Sequence, residues 1–141
     1  MRMNITRQIV STAVIIAGMT IVGIAPAWPA ENQCDRGCLI KVLEGYIQAV
    51  IAKKPEAAPL AKNYRGTENA IDVAPGKGFW TTSTAIGNVS HYYGDPVNGS
   101  AAFYGVLEEG EGSAIVSVRV KIDNLKISEA EWIIARKGES L

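Results

Sequence analysis

The chain is short of the residues from which most metal and nucleophilic centres are built. Of its 141 residues, one is histidine, His91, and two are cysteine, Cys34 and Cys38. A zinc site needs three or four such ligands at characteristic spacing, so no metal is expected. Lysine and arginine total 14, and so do aspartate and glutamate. With no clustered excess of positive charge to neutralise phosphates, no nucleic-acid partner is expected. The basic pairs Lys53-Lys54 and Arg136-Lys137 fall near segment ends and read as solvated charge. Gly76-Lys-Gly78 and Gly110-Glu-Gly112 are turn glycines with no phosphate-cradling pattern after them, and there is no Gly-x-Ser-x-Gly elbow. No cofactor is expected.

A long apolar run occurs once, from Ile9 to Ile24, after Arg2 and Arg7 and before Ala25-Pro26-Ala27. The charged, apolar and small-residue zones in that order predict a secretory signal peptide over 1–27. The run holds Ser11, Thr12 and Thr20 and is shorter than the roughly 20 apolar residues of a spanning helix, so removal is expected rather than a stable membrane anchor. Cleavage after Ala27 fits the small-x-small rule better than cleavage after Ala30. The expected location is periplasmic or extracellular, with residues 28–141 as one domain. Both leader arginines lie outside that domain, which leaves it a formal charge of −2. Export permits a disulfide. Cys34 and Cys38 share a helix face if the helix has begun, and a frayed first turn would let them close a structural bond, with free thiols the alternative. Asn88-Val-Ser90 and Asn98-Gly-Ser100 match the glycosylation sequon, usable only in a eukaryotic source.

Leu39, Val42, Leu43, Tyr46, Ile47, Val50 and Ile51 recur by three and four, which predicts one amphipathic helix with Asp35 as N-cap and Pro55 as the stop. Glu56 to Ala61 offers a short second helical turn. Tyr64 to Val73 reads as extended or hairpin-like, and Ala74 to Gly78 as a turn before Phe79-Trp80. Strands are predicted over roughly 88–94, 101–108, 113–122 and 126–135. Their short polar connections favour an antiparallel meander. Ala114, Val116, Val118, Val120 and Ile122 alternate with Ser113, Ser117, Arg119 and Lys121, and Ala130, Trp132 and Ile134 alternate with Glu129 and Glu131. Each strand therefore turns one face to a core. A leading helix and a curved antiparallel sheet make an α+β domain.

The order of these parts, with Cys34-Asp-Arg-Gly-Cys38-Leu, Tyr46-Ile-Gln-Ala49, Thr67-Glu68-Asn69, Gly76-Lys-Gly-Phe-Trp80-Thr and Arg119-Val-Lys-Ile-Asp-Asn-Leu-Lys-Ile127, resembles the nuclear-transport-factor-2-like, or SnoaL-like, superfamily over residues 34 to 136, and within it a small secreted branch of unassigned function. The resemblance implies a cone-shaped, cystatin-like roll, a bent sheet around the N-terminal helix with a pocket at the open end. Members include isomerases, cyclases, dehydratases, epoxide hydrolases, lyases and non-catalytic binders, so the fold does not settle the function.

Two groups are candidates for proton transfer. Glu68 is one by resemblance, since a carboxylate inside an apolar cone has a raised pKa. Its alternative is a hairpin residue facing water or bonding a turn amide. His91 is the other, because strand alternation puts it on one face with Val89, Tyr93 and Asp95; a plain surface histidine is the alternative. Candidate ligand-binding residues are Tyr46, Asn69, Trp80, Tyr93, Tyr104 and Trp132, aromatics suiting a small, largely apolar molecule. On this reading Trp80→Ala weakens ligand binding with little loss of fold. Arg119 pairs with Glu129 or Glu131 across strands. The expected function is an exported small-molecule pocket protein, either a cofactor-independent lyase, isomerase or hydratase, or a non-catalytic ligand-binding or dimerising module that pairs as a homodimer through its sheet.

Overall fold

The computed structural model describes residues 34–138, so the leader lies outside the described residues. Helix α1, Arg36–Ile51, is followed by a 3-10 turn at Pro55–Ala57, strands β1 (Leu60–Glu68) and β2 (Ile71–Asp72), a one-turn helix α2 (Phe79–Thr82), and strands β3 (Ser83–Asp95), β4 (Ser100–Glu109), β5 (Gly112–Asp123) and β6 (Lys126–Arg136). The strands form one sheet in the order β2-β1-β6-β5-β4-β3. Among the described residues no helix is long and apolar enough to cross a membrane.

Asp35 caps α1 as the sequence predicts, its Oδ1 accepting from the Cys38 N–H at 2.8 Å. Cys34 sits just outside the helix and is bonded to Cys38, with Cα atoms 5.2 Å apart, inside the usual disulfide range. The helix stops earlier than Pro55. Lys53 takes the left-handed backbone at φ 57°, and the Lys53 and Lys54 N–H groups close back on the carbonyls of Val50 and Ala49. Glycine ordinarily fills this position, and a Cβ there costs about 1 kcal/mol. Pro55 instead opens the 3-10 turn.

The stripe of α1 is buried in full at Leu39, Leu43, Tyr46, Ile47 and Val50, packed against the inner face of the sheet. That face is built from the alternation read in β5 and β6: Val116, Val118, Val120, Ala130, Trp132 and Ile134 are all buried. β3 to β6 form the antiparallel meander. The meander does not extend to β1, which runs parallel to β6, with Arg65 opposite Glu129 and Glu68 opposite Trp132. Only consecutive strands with short connections are legible as pairs in the sequence, whereas this pairing joins segments more than sixty residues apart. Register shifts between Ile86 and Ser90 in β3 and between Lys121 and Ile122 in β5 interrupt the ladders; bulges of this kind bend a sheet. The result is a curved, open sheet around one helix, an α+β fold.

Candidate functional site

The interior aromatics meet as the sequence suggests, but they meet in contact. The Tyr46 ring lies edge-on to Trp80 at 5.6 Å between centroids and tilted against Trp132 at 6.0 Å, and Phe79 lies 5.4 Å from Trp132. Trp80 and Trp132 are each only 3% exposed. The short helix α2 thus delivers Phe79 and Trp80 into the space where the resemblance implies a cavity, and ring packing fills it. Tyr46, Trp80 and Trp132 are core residues in this arrangement.

One polar thread runs through that core. Trp132 Nε1 donates to the Tyr46 hydroxyl at 3.1 Å, and this hydroxyl is 2.9 Å from the hydroxyl of Tyr64, either of which can donate. Burial raises the pKa of both phenols, so they stay protonated and serve to satisfy each other. Tyr64 escapes notice in the sequence because its strand has no clean alternation.

Glu68 ends β1 beside this thread. Its Oε1 accepts from the Phe79 N–H at 2.7 Å and so caps α2; of the roles foreseen for it, bonding a turn amide is the one seen. Gly78 makes the approach feasible, since a Cβ there would collide with both carboxylate oxygens. Burial raises the Glu68 pKa first of all. The Phe79 N–H and the charge of Arg136 oppose that rise, and the charge of Glu109 adds to it.

Asn69 follows in a left-handed turn at φ 47°. Both ends of its amide are spent on the backbone of Ile134, Nδ2 donating to the carbonyl at 3.0 Å and Oδ1 accepting from the N–H at 2.8 Å. It fastens β1 to β6.

Beyond Glu68, at the same end of the sheet, a groove of about 710 Å³ opens between the turn after α1, helix α2, the start of β3, the β4–β5 turn and the end of β6. It is lined by Lys53, Thr81, Thr82, Thr84, Glu109, Arg136 and Lys137, with Ser113 and the turn glycines. Arg136 meets Glu109 with two nitrogens, Nε at 2.6 Å and Nη2 at 2.9 Å, and lies over the Phe79 ring at 5.8 Å. Thr82 donates to the same carboxylate. These bonds hold the Glu109 pKa below the ordinary glutamate range, against burial. The charge of Arg136 therefore acts on two carboxyl groups whose pKa values are pushed apart, Glu68 upward and Glu109 downward. In the sequence Arg136 reads as solvated charge and Glu109 as part of a polar turn. Strand counting could have found them, because Leu107 and Arg136 both face Ala114, and Glu109 lies two residues beyond Leu107 on the same side.

His91, Tyr93 and Tyr104 do not reach this end. They lie on the outer face, exposed, because the inward positions of β3 and β4 go to Tyr92, Ala101 and Phe103, with Tyr92 packed 5.1 Å from Phe103. His91 is opposite Tyr104, which is opposite Ser117, which is opposite Ile133. Tyr93 and Tyr104 join Val89, Ile115 and Ile133 in an exposed apolar patch. Arg119 on the same face bonds Glu131 at 2.9 Å and Glu129 at 2.7 Å, so both of its expected partners are real.

No protein-family model matches the sequence, and no curated protein does. Solved structures match the fold. A proposed ketosteroid isomerase from Kribbella flavida DSM 17836 superposes with a TM-score of 0.57 at 14% identity, covering 77% of this chain and 85% of its own. An NTF-2 like protein of unknown function from Burkholderia xenovorans LB400 gives 0.53 at 10% identity, covering 72% and 85%. An LEH-like epoxide hydrolase from M. tuberculosis gives 0.50 at 13%, covering 68% and 81%. Identities this low speak for shape alone, and on shape the chain carries the nuclear-transport-factor-2-like fold.

Proposed function

We propose that this is an exported small-molecule protein whose site is the groove end of the sheet, with Glu68 as the group there that holds and moves a proton. The observation that carries the reading is the half-buried Glu68 carboxylate, which accepts from the Phe79 N–H at 2.7 Å and feels the charges of the bonded Arg136–Glu109 pair, with the Glu68 pKa pushed up and the Glu109 pKa pushed down. Such a split separates a proton carrier from a fixed charge. Burial disfavours the charged form of Glu68, while Glu109 stays ionised as the counter-ion of Arg136. The chemistry that suits this is proton transfer of the isomerase, lyase or hydratase kind, and of the similar folds one is named for a ketosteroid isomerase and another for an epoxide hydrolase. Export is supported by the leader and by the Cys34–Cys38 bond.

The linkage has a definite sign. With its folded pKa above its unfolded one, Glu68 contributes stability that is full below the ordinary glutamate range and lost as pH rises through its own raised value. Glu68→Gln keeps an acceptor for the Phe79 N–H and removes the titration, so it should flatten that slope while leaving the protein folded. The experiment uses protein recovered from the exported fraction, with Trp28 or Glu31 expected as its first residue. Carboxyl titration by 13C NMR is combined with a small-molecule screen mapped onto amide shifts. An ordinary Glu68 titration, or binders that cluster away from Phe79, Glu109 and Arg136, would sink the reading.

A second reading, the dimerising module, rests on the outer face. Val89, Tyr93, Tyr104, Ile115 and Ile133 are between 38% and 53% exposed, side by side on neighbouring strands. A second copy of the same face, related by a two-fold axis, would cover them with like against like. Arg119 with Glu129 and Glu131 provides charges of both signs at the rim. Sedimentation should then give a concentration-dependent dimer that Ile133→Glu abolishes without changing the circular dichroism. A wild-type protein that stays monomeric at high micromolar concentration would remove this reading.

A further inference from the structure

We propose that the groove beside Arg136 binds a small hydroxylated acid, through Lys53 and Lys137 on its oxyanion and the threonine oxygens on its hydroxyl groups. The inference rests on the reading that this end of the sheet is the binding site, and it changes the expected ligand from an apolar molecule to an anionic one. Among the described residues three cations line the groove, Lys53, Arg136 and Lys137, against a single carboxylate, Glu109. That carboxylate is already engaged by Arg136 and Thr82, so it presents little uncompensated charge to a ligand. The positive balance falls to the two lysines.

Lys53 is held where it can act. Its ammonium group donates to the Thr81 carbonyl at 2.8 Å, which uses one of its three N–H bonds and leaves two for a ligand. Its backbone is in the left-handed region that glycine would fill with less strain. Such outliers concentrate where a side chain has a task, and here the side chain reaches from the end of α1 to the wall of the groove. The hydroxyls add the second half of the specificity. Thr81 gives its proton to the Gly78 carbonyl, Thr82 to Glu109 and Thr84 to the Glu108 carbonyl. Their oxygens remain as acceptors, which match donors on the ligand and not a bare anion. The apolar interior offers no competing place, since Phe79 and Trp80 are packed within it.

The test is a set of amide-detected NMR titrations at low ionic strength, where exposed charges are least screened. The probes are gluconate, its neutral counterpart sorbitol, and acetate. Gluconate should give saturable shifts at residues 81–84 and 109–113, with an affinity at least tenfold above that of sorbitol or acetate. Lys53→Ala with Lys137→Ala should cost at least tenfold in gluconate affinity. Lys53→Gly, which relieves the backbone, should weaken gluconate by several-fold while its melting temperature stays level or rises. Sorbitol binding in the groove as tightly as gluconate would overturn the anionic inference and leave the site itself standing. Gluconate affinity unchanged in the double variant, or shifts scattered over the surface without saturation, would overturn it also. Binders from the neutral screen that map to the groove when gluconate does not would confine the failure to this inference.

Discussion

Replacing Trp80 by alanine is expected to lower the unfolding free energy by about 3–5 kcal/mol, the cost of truncating a buried tryptophan. The indole is 3% exposed and edge-on to Tyr46, and α2 is a single turn, too short to hold its place without the side chains it buries. A domain of this size has on the order of 5–15 kcal/mol in all, so the variant should melt about 15 °C or more below the parent. Val118→Ala, at a fully buried position on β5, should cost only about 1–3 kcal/mol. Chemical denaturation of both variants checks the order. A Trp80→Ala protein as stable as its parent would mean that the indole borders a cavity after all and that the core does not depend on it.

The second large effect is at Gly105, on β4 opposite the bulge in β3. A methyl group there would overlap the Val89 carbonyl oxygen and come within 2.7 Å of Phe103 Cζ and 3.1 Å of Ser90 Cα. Two of these are backbone atoms, which cannot swing aside. Gly105→Ala should therefore push β3 and β4 apart at this position and cost about 3 kcal/mol or more, at the upper end of overpacking effects. Gly45 is the control. It lies in α1, and a methyl group added to it would have nothing within 4 Å, so Gly45→Ala should stabilise by about 0.5–1 kcal/mol. Equal and small effects at the two glycines, read from urea midpoints, would refute the close approach.

What could be read from the residues follows from periodicity. The stripe from Leu39 to Val50, the alternation from Ala114 to Ile122 and the cap at Asp35 are local patterns, and each appears where its spacing puts it. The parallel pairing of β1 with β6 has no local signature, because its partners are remote in the chain. The candidate site was legible only in part for the same reason. Glu68 stands out as an acid next to a turn, yet its partners, the Phe79 N–H and Arg136, come from other elements. His91 draws notice by its rarity, and rarity says nothing about which face of a strand a side chain takes. Trp80 is recognisable as a large aromatic beside a turn, but no rule of spacing tells a ring that lines a cavity from one that fills it.

The pairing of β1 with β6 also sets an order of events along the chain. β3 to β6 are joined by turns of a few residues and can zip in sequence, each closing a short loop. Before β6 exists β1 can pair only with the two residues of β2, and to reach β6 it must close a loop of more than sixty residues, with an entropic cost that local hairpins do not meet. Assembly thus begins in the C-terminal half, and β1 arrives late, secured when the Asn69 amide engages Ile134. During synthesis the first strand to emerge is thus the one that waits longest for its main partner. Until the final strand leaves the ribosome, the apolar stripe of α1 has only an incomplete sheet to cover it, and that interval is when the chain is most exposed to aggregation.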